Sequence, residues 1–134
     1  MTIVSKPIIV FIAAITLLTA CKRDVTPEKL YGNWRYVKIE NPGTNPPSTD
    51  PDWKLKLEHP SIVFSKNNEL TIWWNGKILS HGTFGVDVNN IRYKEILEGG
   101  RTSEFPFYVS KLTDSEIVFE TLGPDGSRVT AVKQ

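Results

Sequence analysis

The feature that most constrains how this chain can fold is the regular recurrence of turn residues in its second half. Asn, Gly, Pro and Asp cluster at intervals of roughly 8 to 12 residues, a spacing typical of β-sandwiches and β-barrels. The segments between the clusters are rich in strand-forming residues. The turns are Lys66-Asn67-Asn68, Asn75-Gly76, Asn89-Asn90, Gly99-Gly100, Thr113-Asp114-Ser115 and Gly123-Pro124-Asp125-Gly126.

Apolar and polar residues alternate between these turns, as they do in strands with one buried face. Asn75-Gly76 gives the strongest hairpin signal, because both residues accept positive φ. Residues 53–58 also alternate like a strand, and no amphipathic helix longer than one turn is visible after the leader. The pattern predicts an all-β protein, an eight-stranded up-and-down antiparallel barrel, with a two-sheet sandwich as the alternative. The eight predicted strands cover 33–40, 61–65, 69–74, 78–86, 91–97, 104–112, 116–121 and 127–133.

The residues before the first strand predict a short N-terminal helical turn. Thr26 can cap it, Pro27 suits the first helical position, and Glu28 lies at the positive end of the helix dipole. Gly32 ends the turn. Residues 41–52 contain four prolines, which predicts a long loop near one end of the barrel that could act as a lid.

Leu18-Thr19-Ala20-Cys21 reads as a lipobox. It follows Lys6 and an uncharged apolar run, an arrangement typical of signal peptides. The apolar run is shorter than the roughly 20 residues that span a bilayer. We therefore expect residues 1–20 to be a lipoprotein signal peptide and Cys21 to become a cleaved, acylated N-terminus. An ordinary secretory leader and a buried N-terminal helix are the alternatives. Two or three acyl chains would make membrane attachment permanent.

The residues after Cys21 are enough for one domain, so we expect a lipidated tether over 21–26 and a barrel domain over 27–134. Lys22 stands where an Asp would retain a lipoprotein at the inner membrane, which favours the outer membrane, with its periplasmic face and the cell surface both open. Lys6 is one of 16 basic side chains against 15 acidic ones, so its removal leaves no net charge. No nucleic-acid partner is expected. Cys21 is the single cysteine, so the domain has no disulfide.

Leu30-Tyr31-Gly32-Asn33-Trp34 opens the first strand. With Ile62-Val63-Phe64, the segment 82–86 and the segment 108–119, it makes the chain resemble the lipocalin-like domain lipoproteins of Gram-negative bacteria, in which a Leu-x-Gly-x-Trp opening follows a lipobox. The resemblance implies an eight-stranded barrel with Trp34 at its closed end and Arg128 packed on Trp34. Most members of that family have no defined activity, so the resemblance implies an architecture and not a reaction.

Residue parity sorts the strands into an inward and an outward face, because successive side chains point to opposite sides. Nearly half of the inward set is aromatic, which favours a mostly filled interior with a narrow aromatic mouth. Trp74, Phe84, Tyr93 and Phe107 are the candidate ligand-binding residues. The inward set is Trp34, Tyr36, Ile62, Phe64, Leu70, Ile72, Trp74, Ile78, Phe84, Val86, Ile91, Tyr93, Phe105, Phe107, Val109, Ile117, Phe119, Val129 and Ala131.

Trp73 and Trp74 are adjacent, so one of the two indoles must lie outside the barrel. Trp73 is the candidate interaction residue, for a protein partner, a sugar ring or membrane headgroups. The alternative is that the proline-rich loop or the tether covers it.

Motifs for nucleophilic, metal-dependent or phosphate chemistry are absent from the sequence. His59 and His81 are read as solvated, and inward polar groups are limited to Tyr36, Tyr93 and Ser80. We expect no enzyme activity, no cofactor and no metal site. The expected function is a lipid-anchored envelope lipoprotein that binds a small apolar or amphipathic molecule. The alternative is a protein-interaction or envelope-assembly factor that uses the outer face of a filled barrel.

Overall fold

The structure is a computed structural model and describes residues 24–121, 123 and 126–134. The predicted signal peptide, 1–20, and the predicted lipidation site, Cys21, lie outside the described residues. Two helices are present, α1 (Pro27–Leu30) and α2 (Asp52–Glu58), and a 3₁₀ turn covers Glu98–Gly100. The strands are β1 (Gly32–Asn41), β2 (Ser48–Thr49), β3 (Ser61–Phe64), β4 (Glu69–Trp74), β5 (Lys77–Asp87), β6 (Asn90–Ile96), β7 (Thr102–Leu112), β8 (Glu116–Glu120) and β9 (Arg128–Lys133).

Eight antiparallel strands close into an up-and-down barrel, as predicted. Strands β3 to β9 follow one another in chain order, and β1 pairs with β3 on one side and with β9 on the other. The short β2 pairs only with Glu40 and Asn41 at the end of β1. Because β9 returns to β1, the sheet has no long free edge, and the sandwich alternative is excluded.

The inward faces of the strands form one hydrophobic core. The predicted inward set is confirmed except for Ile78, with Ile72, Trp74, Val86 and Phe105 partly buried against the core. Four residues of the hydrophobic core were not in that set: Val25, Leu30, Ile39 and Leu55. Val25 and Leu30 precede the barrel, and Leu55 lies on α2. Ile39 follows an irregularity in the pairing of β1. Strand alternation therefore could not identify these four residues.

Ile78 faces outward because the pairing of β4 with β5 contains a bulge. Ile72 pairs with Ser80, whereas the next residue, Trp73, pairs with Ile78, which leaves Leu79 as the extra residue. The bulge reverses the side on which the start of β5 points. Ile78 therefore lies beside outward-facing Trp73 and is 52% exposed. A similar shift between Tyr36 and Lys38 in the pairing of β1 with β9 turns Ile39 inward.

Residues 52–58 form helix α2 and not the strand that their alternation suggests. Pro51 precedes the helix, Asp52 lies in its first turn, and His59 ends it in the left-handed conformation with φ of 47°. At seven residues α2 is about two turns long, so the prediction of no helix longer than one turn is wrong. A strand here would have no partner, because β1 already pairs with β3.

Two of the hairpin turns test the turn predictions. Asn75 and Gly76 have φ of 54° and 73°, as the Asn-Gly signal predicts. The next turn lies one residue earlier than predicted: Asp87 pairs with Asn90, so Val88 is a turn residue and takes a φ of 55°.

The Leu-x-Gly-x-Trp segment joins α1 to β1. Gly32 has a φ of 132°, a conformation that side-chain-bearing residues avoid, which explains glycine at this point. Trp34 is fully buried, and its indole nitrogen donates a hydrogen bond to the Leu30 carbonyl at 2.7 Å. None of the helices in the described ranges is long and apolar enough to cross a membrane.

Arg128 does not pack on Trp34. Arg128 pairs in register with Glu40 at the far end of β1, and its guanidinium makes ion pairs with Glu120 and Glu40. The cation over the Trp34 ring is Lys133, which pairs with Trp34 across the β1–β9 seam. The implied role of Arg128 is therefore corrected.

Candidate functional site

The two ends of the barrel are different. One end, which we call the closed end, carries α1 and the β3–β4, β5–β6 and β7–β8 hairpins; Val25 and Leu30 are buried in the core there. The other end, which we call the mouth, carries the β4–β5 and β6–β7 turns, the 42–51 segment and α2.

The loop that was predicted as a lid is tied down at the mouth. The Asp50 backbone N–H donates to the Ile39 carbonyl at 2.9 Å, and the Asn41 amide donates to the Asp50 carboxylate at 3.1 Å. Together with the β1–β2 pairing, these hydrogen bonds hold the loop against the end of β1.

Helix α2 is attached to the mouth at the β4–β5 turn. The Trp74 indole nitrogen donates to the Glu58 carboxylate at 2.8 Å, and the Asn75 N–H donates to the Glu58 carbonyl at 2.8 Å. Leu55, in the middle of the helix, is buried in the core. Since α2 also packs against β1, it reaches from β1 to the β4–β5 turn.

The deeper interior is filled by stacked and edge-on aromatic rings. Tyr93 and Phe107 are stacked at 5.7 Å between ring centroids, Phe107 lies 5.2 Å from Phe119, and Phe84 lies edge-on to Phe64 at 5.1 Å. All five residues are buried. Of the predicted ligand-binding residues, the structure thus brings Tyr93 and Phe107 together and encloses Phe84 in the same core.

Trp74, the fourth predicted ligand-binding residue, is half-buried nearer the mouth. Its ring lies edge-on to Tyr36 at 6.1 Å. The Tyr36 hydroxyl makes no hydrogen bond within the described ranges. No fully buried side-chain nitrogen or oxygen of those ranges lacks a partner. The Tyr36 hydroxyl therefore reaches space that water can enter.

A polar network lies on the inward face of β5 and β6 toward the mouth. The Ser80 and Tyr93 hydroxyl oxygens are 2.5 Å apart, and Ser80 donates its single proton to the Glu95 carboxylate. Because Ser80 has only one proton to give, Tyr93 must donate to Ser80. The chain of donors thus runs from Tyr93 through Ser80 to Glu95.

The two inward tyrosines are difficult to ionise. Burial, and secondarily the neighbouring Tyr93, raise the pKa of Tyr36 well above its usual range. Burial also raises the pKa of Tyr93, the Ser80 hydrogen bond opposes the rise, and the Glu95 carboxylate adds to it. Both hydroxyls therefore stay protonated at neutral pH, and that of Tyr93 donates its proton to Ser80.

A cavity of about 340 Å³ opens beside this network. Its lining has no Lys or Arg and contains the Glu95 carboxylate, so it favours hydrogen-bond donors over anions. Its polar members are Ser80, His81, Glu95 and Glu98, and its apolar members are Ile78, Leu79, Ile96 and Leu97. Ile78 and Leu79 lie at the start of β5, Ile96 ends β6 and Leu97 follows it, and all four are more than a third exposed.

The apolar rim continues onto the outer face of the barrel. Trp73 is outward-facing and 37% exposed, and it pairs across the strands with Ile78. Trp73, Ile78 and Leu79 thus form an outward apolar strip next to the cavity. Such exposed apolar strips rimmed by polar groups are typical of binding surfaces.

Three other clefts lie among the described residues. One of about 220 Å³ lies between α2 and β1 beside Tyr36 and Leu55, one of about 280 Å³ lies beside Thr121 and Ser127, and one of about 160 Å³ lies beside His59. The second of these clefts also adjoins part-buried hydrogen bonds, which Ser127 donates to Thr121 and Asn41. We take the cavity of β5 and β6 as the candidate site because it combines a part-buried hydrogen-bond network with an exposed apolar rim.

The arrangement of side chains at the candidate site favours ligand recognition over catalysis. Ser80 donates to Glu95 without an intervening imidazole, so it lacks the partner that activates a serine nucleophile. In the part of the chain that the structure describes, no group of three His, Cys, Asp or Glu residues is placed to hold a metal.

Sequence reasoning missed Glu95 as a site residue. Parity in β6 points Glu95 inward with Ile91 and Tyr93, so the signal was present in the sequence. Ser80 was recognised as an inward polar residue, but its partner was not. Leu79 and Ile96 were missed because their exposure depends on the bulge and on the end of β6. No family model matches this chain, and no curated protein matches it either.

Proposed function

We propose that this protein is a non-enzymatic binding module that is held on the outer membrane by lipid on Cys21, and that it binds a small amphipathic molecule at the mouth of its barrel. The observation that carries the proposal is the cavity of β5 and β6, which joins an exposed apolar rim to a part-buried hydrogen-bond network. The resemblance to lipocalin-like lipoproteins supports the anchoring and the barrel-mouth site.

The ligand would occupy the mouth and not the deeper interior. Phe84 is already in ring contact with Phe64, and Phe107 with Tyr93, so these rings would have to move before a ligand could touch them. An apolar chain would lie on Leu79 and Ile96, and its polar end would face Glu95. Because the carboxylate is an acceptor, the polar end should be a donor such as an amine.

The test compares two ligands that differ only in the sign of their head group, octylamine and octanoic acid. Their binding to the barrel domain is followed by nuclear magnetic resonance of the Leu79 and Ile96 methyl groups. Octylamine should shift these signals at lower concentration than octanoic acid. Glu95→Gln should weaken octylamine binding by about tenfold, as loss of a charged hydrogen bond does.

Glu69→Gln is the matched control, because Glu69 is an exposed strand residue at the closed end. It should leave octylamine binding unchanged. Equal binding of the amine and the acid, or shifts confined to residues away from β5 and β6, would contradict the proposed site.

A second candidate function is docking of an envelope protein on the outer apolar strip of Trp73, Ile78 and Leu79. The exposed Trp73–Ile78 pair favours it. On native gels of solubilised membranes, Trp73→Ala should then lose a co-migrating complex that Leu57→Ala, which alters an exposed leucine on α2, retains. Unchanged migration of both variants would leave ligand binding as the better account.

A further inference from the structure

The core of the barrel begins very soon after the predicted lipidation site. Val25 is buried in the core, and the Lys29 ammonium donates to the Asp24 carbonyl at 3.0 Å. Val25 was predicted to lie in the tether, but the structure makes it part of the closed end. The connection from Cys21 to the folded core is therefore shorter than the sequence suggested.

The reach of this connection is short compared with the barrel. Four peptide units join the Cα atoms of Cys21 and Val25, and a fully extended chain covers at most about 14 Å over that distance. The eleven residues of β5 measure roughly 37 Å along the strand, or about 28 Å along the axis of a barrel with ordinary strand tilt. The tether is therefore too short for the barrel to stand upright on its mouth on the bilayer that holds the acyl chains.

The closed end also presents an exposed apolar tip. Val88, in the β5–β6 turn, is 82% exposed, more than any other large apolar residue of the described ranges. Its φ of 55° is unusual for a β-branched residue, and strained positions of this kind concentrate at functional sites. This tip lies at the same end of the barrel as Val25 and α1.

We propose that the barrel stands on the membrane by its closed end, with Val88 in the headgroup layer and the mouth directed away from the bilayer. This orientation rests on the acylation of Cys21 in the proposed function. It implies that the cavity takes its ligand from the aqueous side or from a facing surface, and not from the membrane that anchors the protein. It also removes Trp73, at the mouth, from contact with that membrane.

The experiment uses the full lipoprotein as processed in cells. Cys21 is the single cysteine of the chain and would be blocked by its lipid, so one introduced cysteine gives one labelled position. Val88→Cys and Leu79→Cys variants are labelled with a fluorophore and reconstituted into phosphatidylcholine vesicles that contain a headgroup-quencher lipid. The Val88 label should be strongly quenched, and the Leu79 label should not.

Asn67→Cys is a second closed-end position in a polar hairpin and should show intermediate quenching, because it lies at the same end without an apolar contact. Strong quenching of the Leu79 label, with or without quenching of the Val88 label, would overturn the orientation. Absence of quenching at both Val88 and Leu79 would overturn it as well. The intact mass of the purified protein is measured first. Absence of the acyl mass would contradict the lipid anchoring itself, and an acylated protein with the wrong quenching pattern would contradict the orientation alone.

Discussion

The Lys133 ammonium lies 5.3 Å from the centroid of the Trp34 ring, across the seam where β9 closes on β1. The same indole donates to the Leu30 carbonyl at the end of α1. Trp34 therefore joins α1, the first strand and the last strand at the closed end, so the barrel closure depends on this side chain.

Trp34→Ala should lower the free energy of unfolding by about 3 to 5 kcal/mol, as large aromatic truncations in cores do. The loss combines a cavity in the core with an unpaired Leu30 carbonyl. Chemical denaturation measures it. Lys133→Ala removes only the cation over the ring and should cost about 0.5 to 1 kcal/mol. Similar losses for the two variants would show that Trp34 does not hold the seam.

Two glycines of β5 give a matched test of how closely the strands approach. A Cβ at Gly82 would overlap the Lys94 carbonyl oxygen of β6, whereas a Cβ at Gly85 has nothing within 4 Å. Gly82→Ala should destabilise the protein by about 1 to 3 kcal/mol through overpacking. Gly85→Ala should be neutral or slightly stabilising, because alanine restricts the unfolded chain. Equal melting temperatures for the two variants would contradict the β5–β6 register.

The donor chain from Tyr93 through Ser80 to Glu95 predicts that removing the Tyr93 hydroxyl and removing the Ser80 hydroxyl lower the free energy of unfolding by different amounts. Tyr93→Phe removes the first donor and leaves the Ser80 bond to Glu95, so it should cost about 0.5 to 1.5 kcal/mol. Ser80→Ala leaves both Tyr93 and Glu95 without this partner and should cost more, up to about 3 kcal/mol. Urea denaturation of both single variants and of the double variant measures the coupling. Additive effects would mean that the three groups do not form one network.

Stability should decline at alkaline pH because of Tyr36. Its pKa is raised in the folded protein, mainly by burial, above the value of about 10 in the unfolded chain. Above pH 10 the unfolded chain therefore releases the phenol proton first, and the free energy of unfolding falls as the pH rises. Tyr36→Phe should make this decline shallower and should have little effect at pH 7, where the hydroxyl makes no hydrogen bond with the described residues. The same alkaline slope in both proteins would show that the hydroxyl is fully solvated.

Cys21→Ser should release the protein from the membrane fraction without unfolding it, because the expected acyl chains attach only at that thiol. Membrane fractionation, followed by a thermal melt of the released protein, measures both parts. Retention of the variant in membranes would contradict the lipoprotein hypothesis. A lowered melting temperature would contradict the separation of anchor and fold.

The candidate site shows which structural features could be predicted from residue patterns and which could not. Parity placed Tyr93 inward and Trp73 outward, and both are found so, because alternation within one strand is a local property. The partnership of Ser80 with Glu95 and the outward turn of Ile78 depend on how β5 pairs with β4 and β6, across a bulge that carries no sequence signal.

The strand segments, the Asn75-Gly76 hairpin and the all-β class were determined by the sequence alone, because alternation and turn chemistry act over a few neighbouring residues. The tertiary structure decided what depends on distant partners. Residues 52–58 became a helix because β1 already had a neighbour in β3, and Lys133 replaced Arg128 over Trp34 because strand register sets which residues of β9 reach the closed end. Register is a property of two strands together, and no single segment contains it.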